Sequence, residues 1–351
     1  MKNIEIIKVI HVTETYGGGI KTYLNNLDSR PKKNFKNLFI TFGEKTKNEN
    51  FFSFRAYNRV LSSLLLLIIL PFFIIFFKPK IIHLHCFVAG LIGRFYSLFF
   101  FKIKFFYQPH GLVMFSTSNK FLKYTFYLIE MFFSKFNSKT IACSVSECNE
   151  INKFTNADKV ILIENGINPQ VKIKREINKK NIKIFTVGRI CYQKNPKNFL
   201  RLAQNFENKN VTFTWIGDGH YKNYKRLFKK NNIFITGWTD QENVNKIMNE
   251  SNIFVLLSRY EGMSYALLQA LSYGLPSVVT NVIGNKDLVV NGIDGFVCDN
   301  LNEVKKRIDQ MIYDDVLYKT LSRNAQESIQ NKYNLDLQLK KIYNAYEKSI
   351  S

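Results

Sequence analysis

The segment Ser258-Arg259-Tyr260-Glu261-Gly262-Met263-Ser264-Tyr265 carries the sharpest chemical pattern in the chain. An apolar run ends, an acid and a glycine make a turn, and a helical pattern starts near Ser264. The free N–H groups at such a helix start suit an anion such as a phosphate. Glu261 at the turn can accept hydrogen bonds from sugar hydroxyls. Gln269 falls about two helical turns further on, on roughly the same face. The plain alternative is a helix cap beside a solvated glutamate.

Three further groups carry chemistry. Val187-Gly188-Arg189 closes an apolar run, and Lys194 follows. Arg and Lys at a strand's carboxyl end can neutralise a diphosphate, Arg by bidentate bonds and Lys as a point charge; two solvated cations are the alternative. His110-Gly111 ends another apolar run, where an imidazole can bond substrate or leaving group, or serve structure alone. Gly17, Gly18 and Gly19 precede a helical pattern, as in either a tight turn or a ligand loop. They match neither a dinucleotide-binding glycine fingerprint nor a phosphate-binding Walker loop. His83 and His85 alternate with Leu84 and so face one side of a strand, where they read as packed or hydrogen-bonded; His11 is open between the readings. No D-x-D occurs, so nothing marks a carboxylate-held divalent ion, and phosphate charge would fall to Arg, Lys and helix starts.

These groups need a frame to hold them. Residues Ile4, Ile6, Ile7, Val9 and Ile10 predict a first strand, not a signal peptide, because Glu5 and Lys8 interrupt the apolar run. Strands are expected at 38–42, 81–85, 104–108, 140–144 and 160–163. A polar stretch at 169–180 reads as a linker. A second series follows at 182–187, 211–216, 233–236, 253–257 and 277–280, with helices between, such as 198–208 and 241–250. This alternation implies two parallel-sheet α/β domains, at 1–168 and 181–330. Ligands then belong at the strands' carboxyl ends, in a cleft between the domains. The final stretch, 331–351, predicts a helix.

In this order, Gly17–Gly19, 78–85, His110-Gly111, Asn165-Gly166-Ile167, 187–196, 216–219, 258–275 and 280–297 resemble glycosyltransferase family 4, across almost the whole chain. The resemblance implies the GT-B architecture, two Rossmann-like domains facing across a cleft, with the last helix crossing back to the first. It implies retaining transfer from a nucleoside-diphosphate sugar to an acceptor hydroxyl, with no bound metal and no separate cofactor. By matched position, Arg189 and Lys194 stabilise the leaving diphosphate beside Gly188. Glu261 contacts donor-sugar hydroxyls, and Gly262 with the Met263, Ser264 and Tyr265 backbone holds phosphate. His110 faces the donor sugar, and Gly18 and Gly19 let the N-terminal loop close. One departure stands out: the family usually places a second glutamate where this chain has Gln269. A neutral amide still bonds both ribose hydroxyls but loses a charge-assisted contact.

Composition sets the surroundings. The net charge is +23, and residues 51–140 contain 11 basic residues and one acid, Glu130, among many Phe, Leu and Ile. Basic, aromatic and acid-poor is the composition of a surface on anionic lipid; no nucleic-acid motif accompanies it. The uncharged run Val60–Phe77 meets the lower length limit for a span. Pro71 and the compact strand that follows favour a packed helix with one face toward lipid. The five cysteines form no C-x-x-C pair, which fits a reducing cytosol. The sequence thus predicts a cytoplasmic enzyme at the inner membrane face, extending a lipid-linked or cell-surface glycan. A catalytically silent scaffold of a glycan-assembly complex and a nucleotide-sugar epimerase are the competing readings.

Overall fold

The computed structural model describes residues 5–43, 46, 48–55, 58–206, 210–219 and 221–351. Ile4 of the expected first strand, and Glu207 and Asn208 of an expected helix, lie outside them. The chain forms two compact units, Met1–Asn165 with Gln338–Ser351, and Gly166–Leu337.

In the first unit, strands β1 (Ile7–Tyr16), β2 (Phe35–Gly43), β3 (Phe51–Phe54), β4 (Ile81–His85), β5 (Lys104–Gln108), β6 (Ser138–Ala142) and β7 (Val160–Leu162) form one sheet in the order β3-β2-β1-β4-β5-β6-β7. Every pairing is parallel. In the second unit, β8 (Ile182–Val187), β9 (Val211–Ile216), β10 (Ile233–Ile235), β11 (Ile253–Leu256), β12 (Ser277–Thr280) and β13 (Gly295–Cys298) run in the order β10-β9-β8-β11-β12-β13, again all parallel. Parallel strands need helical crossovers that cover both faces, so their interiors are largely apolar; Val9, Ile10 and Val12 are fully buried, with Val9 and Ile10 on opposite faces. The strand order reverses between β1 and β4, and again between β8 and β11. Such switch points open at the strands' carboxyl ends, where crossovers depart to opposite sides.

Helix α1 (Gly18–Ser29) leaves β1 directly, and α2 (Arg59–Phe77) follows β3. Only one stripe of α2, including Leu66, Leu70 and Ile74, is buried, while Leu64, Ile68, Phe72, Ile75 and Phe76 are exposed. By length and composition this helix could cross a membrane. Pro71 does not break it. A proline cannot donate to the carbonyl four residues back, which for Pro71 is Leu67. The Tyr96 hydroxyl, on α3 (Phe87–Tyr96), donates to that carbonyl instead, at 2.6 Å. Helix α4 (Lys120–Phe133) holds Glu130, the one acid of the basic window, which is buried against Arg94 at 2.9 Å and accepts from the Tyr107 hydroxyl at 2.8 Å. The rest of that window's surface therefore carries basic charge without acid of its own. Helix α5 (Val145–Ile151) follows β6.

The second unit's crossovers are α6 (Pro196–Gln204), α7 (Lys222–Lys230), α8 (Gln241–Glu250), α9 (Tyr265–Ser272) and α10 (Asn285–Leu288), followed by α11 (Leu301–Tyr313) and α12 (Asp315–Asn331). Residues 169–180 contain no helix or strand, yet Arg175 among them is buried in this unit. Its guanidinium donates to the carbonyls of Met248, Asn249, Ser251 and Tyr273, at 2.7–3.1 Å, where α8 and α9 end. Helix α13 (Leu335–Ile350) closes the chain, and Tyr343 and Tyr346 on it are buried in the first unit.

Candidate active site

The second unit gathers its chemistry at the β8/β11 switch point. Gly188 follows β8 with φ +145°, a region that favours glycine. A Cβ there would lie 2.9 Å from Lys194 Cε, so the bare glycine lets the lysine stem cross the backbone. Trp215 Nε1 donates to the Gly188 carbonyl at 2.8 Å and fixes that turn. Asn195 adopts a left-handed conformation before Pro196 opens α6, and this returns Lys194 toward β11. Lys194 Nζ then lies 2.7 Å from Glu261 Oε1, with both side chains largely buried. Gln193, from the same loop, donates to Glu261 Oε2 at 3.3 Å and to the Tyr260 carbonyl at 3.1 Å. Arg189 is exposed on the same loop, near enough to act electrostatically on the Tyr260 hydroxyl.

Behind Glu261, Gly262 packs so closely on Gly284 that a Cβ on the latter would meet the Gly262 carbonyl at 2.2 Å. Ser264 caps α9, its Oγ accepting from the Leu267 N–H, and Met263, Ser264 and Tyr265 are buried at this helix start. Gln269 sits differently from the sequence expectation. Glu261 lies in the turn before α9, so the two residues do not share a helical face. The Gln269 amide donates to Asn245 Oδ1 on α8, at 3.0 Å. Chemically, the pair holds a cation and a carboxylate beside a helix start: one can meet phosphate, the other hydroxyls.

The first unit's switch point brings histidine rings together. Gly18 and Gly19 are exposed in the first turn of α1, Gly18 at φ +55°. His110 follows β5 with φ +55°, a strained value for a residue bearing a Cβ. The turn is held by Glu147 at the start of α5, whose Oε1 accepts from the Gly111 N–H at 2.8 Å. His110 Nε2 lies 2.9 Å from His85 Nδ1, and His85 Nε2 lies 3.1 Å from His11 Nδ1. Burial pushes the pKa of His11 and His110 down to about 3 and those of His83 and His85 well below the ordinary value. Sequence reading placed His83 and His85 on one side; it missed their link to His110, and it missed Gln193. The H-x-H alternation was the available signal for the first, and nothing marked the second.

His11, His83 and His85 bring ring nitrogens within 4.8 Å of one another, a spacing a metal ion could bridge. Two of these nitrogens already share a hydrogen bond. Among the described residues, no acidic group acts on these rings to offset a dication. The donor set therefore fits a metal poorly.

Two parallel doubly wound units, each with polar groups at its switch point, define the GT-B class of glycosyltransferase. Residues 18–171 match the description Glycosyltransferase Family 4, and residues 168–328 match Glycosyl transferases group 1. The chain is 30% identical over 296 residues to the Escherichia coli UDP-Gal:alpha-D-GlcNAc-diphosphoundecaprenol alpha-1,3-galactosyltransferase, covering 77% of this chain and 75% of that protein. Among solved structures, sucrose-phosphate synthase from Thermosynechococcus elongatus has a TM-score of 0.82 at 15% identity, over 97% of this chain and 98% of that one. Anabaena HepE in complex with UDP and glucose has a TM-score of 0.81 at 16% identity, over 97% and 100%. The chain belongs to glycosyltransferase family 4.

Proposed function

We propose that the enzyme moves a sugar from a nucleoside-diphosphate sugar to a hydroxyl of a lipid-linked or cell-surface glycan, with retention and without a metal. The Lys194–Glu261 pair beside the start of α9 carries this reading. A bound diphosphate would take over the charge of Lys194, joined by Arg189, as negative charge builds on the leaving group. That exchange frees Glu261 to accept from donor-sugar hydroxyls. The backbone of Gly262, Met263, Ser264 and Tyr265 holds phosphate, Gln269 reaches the ribose, and His110 faces the donor sugar. Gly18 and Gly19 close on donor and acceptor. The E. coli relative's name couples a UDP-sugar to a diphosphoundecaprenol acceptor, which supports a donor and acceptor of that class here.

A lipid-linked acceptor calls for a membrane surface. The exposed apolar face of α2, with Phe121 and Tyr124 on α4, lies in the acid-poor basic window. That combination suits the cytoplasmic face of an anionic membrane. Flotation with anionic vesicles tests this part; protein left in solution at low salt would refute it. Thermal shift against UDP, GDP, ADP and CMP, with and without EDTA, tests the donor part. A nucleoside diphosphate should stabilise the wild type regardless of EDTA and fail to stabilise Arg189→Ala. No shift with any nucleotide would favour a silent scaffold.

A further inference from the structure

The first unit's histidines are joined by hydrogen bonds whose direction can be worked out from one end. Asn37 on β2 places its amide nitrogen 3.2 Å from the Leu27 carbonyl and 2.9 Å from the Tyr343 hydroxyl. The Leu27 carbonyl only accepts, so flipping the amide would set two acceptors face to face. Asn37 Oδ1 therefore faces His11 Nε2, at 3.4 Å, and His11 must donate. Burial keeps His11 neutral, so a ring with its proton on Nε2 has a bare Nδ1. That bare nitrogen faces His85 Nε2, which donates in turn. His85 is also kept neutral by burial, and its bare Nδ1 receives the proton of His110 Nε2. Each bond points the same way, inward.

We propose that Asn37, His11 and His85 are positioning residues that lock His110 in its Nε2–H tautomer, making His110 Nδ1 a dedicated acceptor for a substrate hydroxyl. His110 is the one ring of this line that is partly exposed, and its strained backbone is fixed by Glu147. The inference rests on the reading that His110 faces the donor sugar. It adds a selection rule: the sugar must offer a free hydroxyl to this nitrogen. A donor carrying an ether, fluorine or carboxylate there would set lone pair against lone pair and be refused.

The chain has five histidines, so selective 15N-histidine labelling of the full protein gives a readable spectrum. Long-range proton–nitrogen correlations, assigned with single histidine variants, should place the proton on Nε2 in His11, His85 and His110 at neutral pH. A proton on Nδ1 in any of the three overturns the proposal. In Asn37→Leu, His110 should become a mixture of tautomers and kcat/KM should fall about tenfold, roughly one hydrogen bond. His110 remaining on Nε2 in Asn37→Leu would also overturn the proposal. If Asn37→Leu does not fold, the wild-type spectrum still decides. That spectrum needs no substrate, so the tautomers can fail while transfer stands, and transfer can fail while the tautomers stand.

Discussion

At the carboxyl ends of β4 and β5, and inward to the middle of β1, neutral imidazoles share protons in a buried line. At those of β8 and β11, an ammonium and a carboxylate stand 2.7 Å apart. Both arrangements satisfy polar groups taken out of water, by different means. The neutral line depends on direction, because each ring can give only one proton, so its information lies in where the protons sit. The charged pair depends on magnitude, and either partner can be drawn off by a ligand of the right sign. The first unit is therefore vulnerable to proton concentration, and the second to loss of a charge.

Acid should break the comparison most strongly. A histidine whose folded pKa is lowered takes up protons in the unfolded chain first, so its contribution is intact above about pH 6.5 and lost as pH falls toward the folded value. By about pH 5 each buried histidine of the first unit should subtract about 2 kcal/mol. Asp294, in the second unit, has the opposite sign: burial raises its pKa to about 6, so acidification through that value relieves a cost. Denaturant unfolding at the two pH values, read by a probe in each unit, checks this; equal acid sensitivity of both would contradict it. Next in size, Lys194→Ala should lower kcat about 10²–10³-fold, as loss of one preorganised charge on the leaving group does. Steady-state transfer rates measure it, and an unchanged kcat would remove Lys194 from the chemistry. Gly188→Ala combines a positive φ with a Cβ 2.9 Å from Lys194 and should cost about 1–3 kcal/mol, with weaker donor binding. Titration calorimetry with the donor nucleotide alongside a melting curve separates the two effects. Smallest, Gln269→Glu should change nucleotide affinity by about threefold. An identical dissociation constant would mean the side chain serves only its bond to Asn245.

Much of this frame was legible in the sequence. Strands β4, β5, β8, β9 and β12 fall on the residues the sequence reading marked, because a mostly buried parallel strand is a short block rich in β-branched and aromatic residues. Strands β3 and β13 escaped: β3 carries a serine and β13 opens on a glycine, whereas the shorter edge strands β7 and β10 are plain apolar triplets and were marked. The run 60–77 was expected as a packed helix, and it forms α2, Arg59–Phe77, straight through Pro71. Proline signals a break, and only a tertiary partner, Tyr96 reaching the carbonyl of Leu67, lets α2 run on. In the site, Glu261 and Lys194 were visible as residue types at turn positions, but their ion pair was not, since it joins loops 67 positions apart. Gln269 was placed by counting turns from a residue that is not on the helix.

Arg175 has a practical meaning for anyone dissecting the chain. The second unit's first strand starts at Ile182, which makes a fragment beginning just before it look natural. Such a fragment would discard the guanidinium that binds four carbonyls at the ends of two helices. No water molecule copies that five-donor fork, and a lysine cannot span it. An excised second unit should therefore begin no later than Gly166, and a fragment lacking Arg175 should melt earlier with its α8 and α9 ends exchanging amide protons first.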